Sequence, residues 1–172
     1  LLNPQNDYLK RRLTYLKPEE EPFYSTYKIS ESEIPQEDDK YQDQSILILV
    51  DNTFVLVEKT GLSSRYFQFI AKVQSNYGAQ VLSSFPITFD PDWQEVRVIE
   101  ATAKRKDGTK LRAESYTTSY LSDPQYQLYY RNRQLVLSFS GLKKGDVVSI
   151  EYLITDKSEV NSYGNYFGDF EA

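Results

Sequence analysis

The segment Arg65-Tyr66-Phe67-Gln68-Phe69-Ile70-Ala71-Lys72-Val73 decides how this chain folds. Phe67, Phe69, Ala71 and Val73 share one parity, and Tyr66, Gln68 and Lys72 share the other, which is the period of a strand buried on one face. Upstream, residues 46–50 form a continuous apolar run and 54–57 a second. The polar Asp51-Asn52-Thr53 between them predicts a hairpin break. Downstream, Asn76-Tyr77-Gly78 predicts a turn, after which Val81, Ser83, Phe85, Ile87 and Phe89 line one face of a strand. Pro86 within it cannot donate to a ladder and so marks an edge or irregular position.

The alternation then shows a fault. Val96 and Val98 have one parity and Ile99, Ala101 and Ala103 the other, so a β-bulge near Val98 or Ile99 is needed to keep both sets inward. Asp107-Gly108 supplies a tight turn and Lys110 starts the return strand. Leu135, Leu137 and Phe139 alternate up to Gly141, and Val148, Ile150, Tyr152 and Ile154 alternate after Gly145-Asp146. No helical pattern of ten residues interrupts residues 45–157, and parallel strands would need crossovers of about a dozen residues. The expected fold is all-β, an antiparallel β-sandwich of about eight or nine strands, with a short N-terminal helix.

That helix belongs to residues 1–17, where Asn6-Asp7 can cap a turn carrying Leu9, Leu13 and Leu16 and Pro18 ends it. Residues 18–44 are acidic and poor in aliphatics, as in Glu19-Glu20-Glu21 and Glu37-Asp38-Asp39. They read as a linker, or as an extended arm that docks through Phe23, Tyr24, Tyr27 and Ile29. The sandwich then occupies 45–157, and the glycine-rich, aromatic 158–172 reads as an extension toward a missing downstream region. A chain that starts Leu1-Leu2-Asn3-Pro4 without methionine reads as a piece of a longer polypeptide.

Composition narrows the chemistry. The 172 residues contain no histidine, cysteine or methionine but 15 tyrosines and 9 phenylalanines. Histidine-activated nucleophiles, redox thiols and the usual zinc sites therefore have no residues to build on, and neither a cofactor nor a metal is expected. The Glu37-Asp38-Asp39 cluster lacks the ligand spacing and turn glycine of a calcium loop. Net charge is -5, and the short basic groups Lys104-Arg105-Lys106 and Lys143-Lys144 sit at predicted loop tips, so no nucleic-acid partner is expected. No apolar run is long enough to span a bilayer.

Several signatures align in order. They are Asp38-Asp39-Lys40 leading into the 46–50 run, Val73-Gln74-Ser75-Asn76-Tyr77-Gly78, Ile87-Thr88-Phe89-Asp90 before Val96-Arg97-Val98-Ile99-Glu100-Ala101, then Lys106-Asp107-Gly108, Leu137 through Gly141-Leu142-Lys143-Lys144-Gly145-Asp146, and Glu151-Tyr152. In this order, over roughly residues 37–170, the chain resembles the bacterial domain of unknown function that precedes transglutaminase-like domains in cell-envelope proteins. Leu2-Asn3-Pro4-Gln5-Asn6 before the leucine helix also resembles the end of a tetratricopeptide repeat; a helix packed on the domain is the alternative. The first resemblance implies a non-catalytic all-β module, exported to the periplasm or envelope, ahead of a Cys-His-Asp catalytic domain. It offers no catalytic residue to carry over. Gly78, Asp107, Gly108, Gly141, Gly145 and Asp146 read as turn formers.

The expected function is accessory: positioning the adjacent domains of the same polypeptide, or recruiting an envelope protein or polysaccharide. A glycan- or peptide-binding surface built from Trp93, Tyr116, Tyr120, Tyr126, Tyr129 and Tyr130 is the alternative, set against tyrosine as an ordinary strand residue. Paired carboxylates such as Asp90 and Asp92, or Glu95 and Glu100, would suit a glycosidase, but they fall in turns or on outward faces. An exposed sheet edge could also accept a partner strand.

Overall fold

A computed structural model describes residues 21–30, 33–34, 41, 43–59, 61–123 and 128–157. Among these lie eight strands: β1 (Ile46–Val57), β2 (Ser63–Val73), β3 (Ser84–Phe89), β4 (Gln94–Lys104), β5 (Lys110–Arg112), β6 (Ser115–Asp123), β7 (Leu128–Ser138) and β8 (Val147–Asp156). One short helix, α1 (Asn76–Leu82), joins β2 to β3, and a 3-10 turn covers Ser25–Tyr27. The strands form a five-stranded sheet in the order β1-β2-β8-β4-β5 and a three-stranded sheet in the order β3-β7-β6. Every pairing is antiparallel, as the short connections require. The expected N-terminal helix and the 158–172 extension lie outside the described residues.

The two sheets enclose the main core. Phe67, Phe69, Ala71 and Val73 of β2, Val96, Val98, Ala101 and Ala103 of β4, and Val148, Ile150, Tyr152 and Ile154 of β8 meet Phe85 and Ile87 of β3 and Leu135 and Leu137 of β7. The parity shared by Phe67, Phe69, Ala71 and Val73 thus selects the inner face. Strand β8 enters last and lies between β2 and β4, so seven of its ten residues are buried on one face or the other. The expected bulge is present: Val98 pairs with Tyr152 and Glu100 with Glu151, leaving Ile99 as the extra residue. Val96, Val98, Ala101 and Ala103 are thereby all kept inward, whereas Ile99 itself packs on the opposite face rather than inward.

Three local expectations are corrected. Asp51-Asn52-Thr53 is no hairpin: β1 runs unbroken through it, with Asn52 opposite Gln68. β1 is a sheet edge, and Asp51 and Thr53 face solvent, so polar residues are tolerated in mid-strand. The real turn follows at Glu58, where Gly61 (φ 82°) donates to the Glu58 carbonyl. Asn76-Tyr77-Gly78 is the first turn of α1, capped by Ser75, whose hydroxyl accepts from the Gly78 amide at 3.0 Å. Val81 is therefore an exposed helix residue and Ser83 follows the helix, leaving Phe85, Ile87 and Phe89 to the strand. Lastly, β2 is buried on both faces instead of one, with Tyr66 and Gln68 as enclosed as the inner residues.

Candidate functional site

The second face of β2 is closed by residues 21–30 and 33–34. Tyr24 lies flat on Tyr66, ring centroids 4.0 Å apart and planes 2° apart, and Phe23, Phe54, Ile99 and Leu153 surround the pair. Nearby, Ile29 and Ile34 pack with Leu49, Val50, Ile70 and Val147. Leu49 is the extra residue of a second bulge, between Ile48 and Val50. Both bulges of the five-stranded sheet thus add an aliphatic side chain to this outer face.

Polar groups complete the contact. Gln68, 1% exposed, accepts from the Ile29 amide at 3.0 Å and donates to the Ile29 carbonyl at 2.7 Å, so one side-chain amide satisfies both main-chain groups of a residue from the arm. Glu151, 2% exposed and opposite Gln68 in the β2–β8 register, binds the Lys28 ammonium at 2.8 and 2.9 Å. The same carboxylate accepts from the Tyr66 hydroxyl at 2.9 Å. Burial, then this bond to the carboxylate, push the Tyr66 phenol far above its ordinary range, which keeps it a donor. The result is a flat aromatic platform, a main-chain reader and a buried carboxylate in one row.

Sequence reading assigned Tyr66 and Gln68 to the less buried face, did not single out Lys28, and used Glu151 only within the Glu151-Tyr152 signature, with no role at a site. A signal existed, since β2 and β8 carry apolar residues on the second parity too, Ile70 and Leu153, which a solvated face would not need.

The residues singled out from sequence lie elsewhere. Trp93, 36% exposed, sits in the turn before β4, where its amide donates to the Asp90 carbonyl. Tyr116 and Tyr120 belong to β6 and Tyr129 and Tyr130 to β7, in the other sheet, and Tyr126 lies outside the described residues. Backbone register sets Tyr116 opposite Leu137, Tyr120 opposite Arg133 and Tyr129 opposite Ser122, so these strands pair no two of the tyrosines directly. Asp90 accepts from the Asp92 amide and Glu100 from the Thr102 hydroxyl, both local contacts.

Among the turn residues, Gly108, Gly141 and Gly145 have positive φ, and Gly78 does not. Asp107 caps its turn by accepting from the Thr109 amide, and that bond holds its carboxyl below the usual carboxylate range. Asp146 is buried and its carboxylate accepts from the Lys143 amide. No group of three or more potential metal ligands occurs among the described residues, and no helix there is long and apolar enough to cross a membrane.

Residues 59–172 match the family model described as a domain of unknown function with a solved structure, DUF3857. The chain belongs to this family. No curated protein matches. Among solved structures, a crystal structure of a protein from Parabacteroides distasonis, provisionally assigned as a protease, is similar with a TM-score of 0.57 at 16% identity. The likeness covers 66% of this chain and 23% of that one, so the present chain spans less than a quarter of its length. At that identity the fold is what the two share.

Proposed function

We propose that this DUF3857 domain is a non-catalytic accessory module of a larger envelope protein, which positions or recruits substrate for a Cys-His-Asp domain of the transglutaminase or protease kind farther along the same polypeptide. One observation carries the reading: the same fold forms under a quarter of a longer protein provisionally assigned as a protease, while this chain has neither histidine nor cysteine. Two carboxylates buried in the domain are engaged in holding it together, Glu151 by Lys28 and Tyr66, and Asp146 by its own turn. Periplasmic placement is part of the proposal and follows from the family resemblance.

The test uses the full-length protein, with and without this domain, on a polymeric substrate and on a short peptide. Loss of the domain is expected to raise KM for the polymer several-fold and leave kcat on the peptide unchanged. Equal turnover of both substrates, or a downstream sequence without the cysteine, histidine and aspartate, would sink it.

A further inference from the structure

We infer that one end of the sandwich is a membrane-docking surface, which lays the domain on a bilayer rich in anionic phospholipid. The β4–β5 turn, the β7–β8 connection and the exposed face of α1 meet at that end, and each adds a part of the contact.

On sequence alone the basic groups Lys104-Arg105-Lys106 and Lys143-Lys144 are two separate loop tips. The fold joins them. Val147, at the start of β8, pairs with both Lys104 and Lys72, so β2 and β4 end where β8 begins. The Arg105 guanidinium donates to the Gly141 carbonyl at 3.3 Å, and the Lys106 side chain runs so close over Gly145 that a methyl group there would collide with it. Lys104 lies directly opposite Lys110, a like-charged pair that by itself opposes the hairpin. Lys106, Lys110, Lys143 and Lys144 are exposed and make no ion pair among the described residues. The nearby carboxylates accept from uncharged neighbours instead, Asp107 from the Thr109 amide, Glu114 from the Ser140 hydroxyl and Asp146 from the Lys143 amide.

The second part is apolar. Helix α1 follows β2 at the same end, tied to the β7–β8 connection where the Val73 amide donates to the Asp146 carbonyl and the Gly145 amide to the Val73 carbonyl. It buries Gly78, Ala79 and Leu82 and turns Tyr77, 66% exposed, and Val81, 44% exposed, to solvent one helical turn apart. Lysines beside an exposed tyrosine and valine suit the lipid headgroup layer, where amphipathic rings settle and each cation near an anionic surface contributes about 1 kcal/mol. A soluble polyanion would satisfy the lysines but leave Tyr77 and Val81 in water. Turns and a helix face make a projecting surface, which fits a flat bilayer better than a threaded chain. At the far end of β8 the charges are mixed, with Asp156 beside Arg65 and Lys157 reaching the Pro91 carbonyl between Asp90 and Asp92. The chain as a whole carries a net charge of -5, so an anionic surface repels the remainder and leaves the basic end facing it. This docking needs no downstream catalytic domain and goes beyond the accessory role proposed above.

The test is sedimentation of the whole chain with vesicles of phosphatidylglycerol and phosphatidylcholine in equal parts, and with vesicles of phosphatidylcholine alone. Binding is expected to the first at low salt and not to the second, and to fall steeply as salt is raised. Lys106→Gln with Lys144→Gln is expected to weaken it about thirtyfold, and Lys143→Gln with Lys144→Gln to do the same from one turn alone should the first pair disturb the fold. Tyr77→Ser with Val81→Ser is expected to weaken it about tenfold without altering the salt dependence. Lys59→Gln, exposed at the opposite end, is expected to change nothing. No binding to anionic vesicles at low salt, or an equal loss with Lys59→Gln, would overturn the surface. Equally tight binding of a soluble heparin oligosaccharide, with no response to the Tyr77 and Val81 substitutions, would overturn its assignment to a bilayer. Either negative leaves the accessory role intact, since that is read from turnover of the full-length protein.

Discussion

At Gly78 a methyl group would lie 2.8 Å from the Ser45 carbonyl carbon and inside the contact distance of its oxygen. Glycine in a helix ordinarily costs about 1 kcal/mol against alanine, so Gly78→Ala should stabilise if propensity decided. The clash is with backbone, which cannot swing aside, and overpacking of this kind costs about 1–3 kcal/mol. Gly78→Ala is therefore expected to destabilise by about 2 kcal/mol, read from the urea midpoint. A methyl group at Gly108 would meet nothing within 4 Å, and its cost arises from φ +85° alone. Gly108→Ala is expected to lose about 1 kcal/mol, with the fold otherwise unchanged. Equal losses at the two positions would contradict this separation of steric from conformational causes.

Docking of residues 21–30 and 33–34 is a matter of whole elements. They cover the one face of β2 and β8 that the three-stranded sheet does not, and Ile99 and Leu49, both placed outward by bulges, widen their apolar seat. Gln68 joins the segment to the sheet through two bonds, so Gln68→Ala is expected to release the Ile29 amide. Hydrogen exchange should show that amide losing protection while the amides of β8 keep theirs. Retained protection at Ile29 would mean that the aromatic stack and the Lys28 pair suffice. In α1 the Ser75 hydroxyl satisfies the Gly78 amide, and Ser75→Ala is expected to cost about 1 kcal/mol of stability by chemical denaturation.

For the molecule as a whole, the alkaline limb of stability follows from two phenols, Tyr66 buried and Tyr152 half-buried. Burial, followed by the nearby Asp51 carboxylate, pushes Tyr152 up to about 12 from the ordinary 10.0, and Tyr66 is raised further still. A raised folded-state pKa gives stability that is complete below the unfolded value and is lost as pH climbs toward the folded one. Stability is thus expected to hold to about pH 10 and then decline through about pH 12. Tyrosinate absorbance should show the two phenols ionising only as circular dichroism is lost, and Tyr152→Phe should make the decline shallower. Ionisation of all tyrosines before unfolding would contradict it.

The sandwich itself was legible from the chain. A period of two fixes a buried face locally, so Phe67 to Val73 and the parity fault at Ile99 pointed to an inner face and a bulge that the structure contains. Asp107-Gly108 was legible for the same reason, because its requirement for a left-handed residue is local. The unbroken course of β1 through Asp51-Asn52-Thr53 was not, since only its position at a sheet edge excuses the polar residues. Nor was the helix at Asn76, where the spacing of Ala79 and Leu82 is too short a pattern to outweigh a turn-like Asn-Tyr-Gly. By itself, then, the sequence determined the strand class, the inner face, the Asp107-Gly108 turn and the lack of histidine and cysteine in this chain. The pairing of Lys28 with Glu151 and of Ile29 with Gln68 was decided only by tertiary structure. Partners 123 and 39 residues apart carry no local period, and a polar residue on a strand's second face looks solvated until another segment is laid over it.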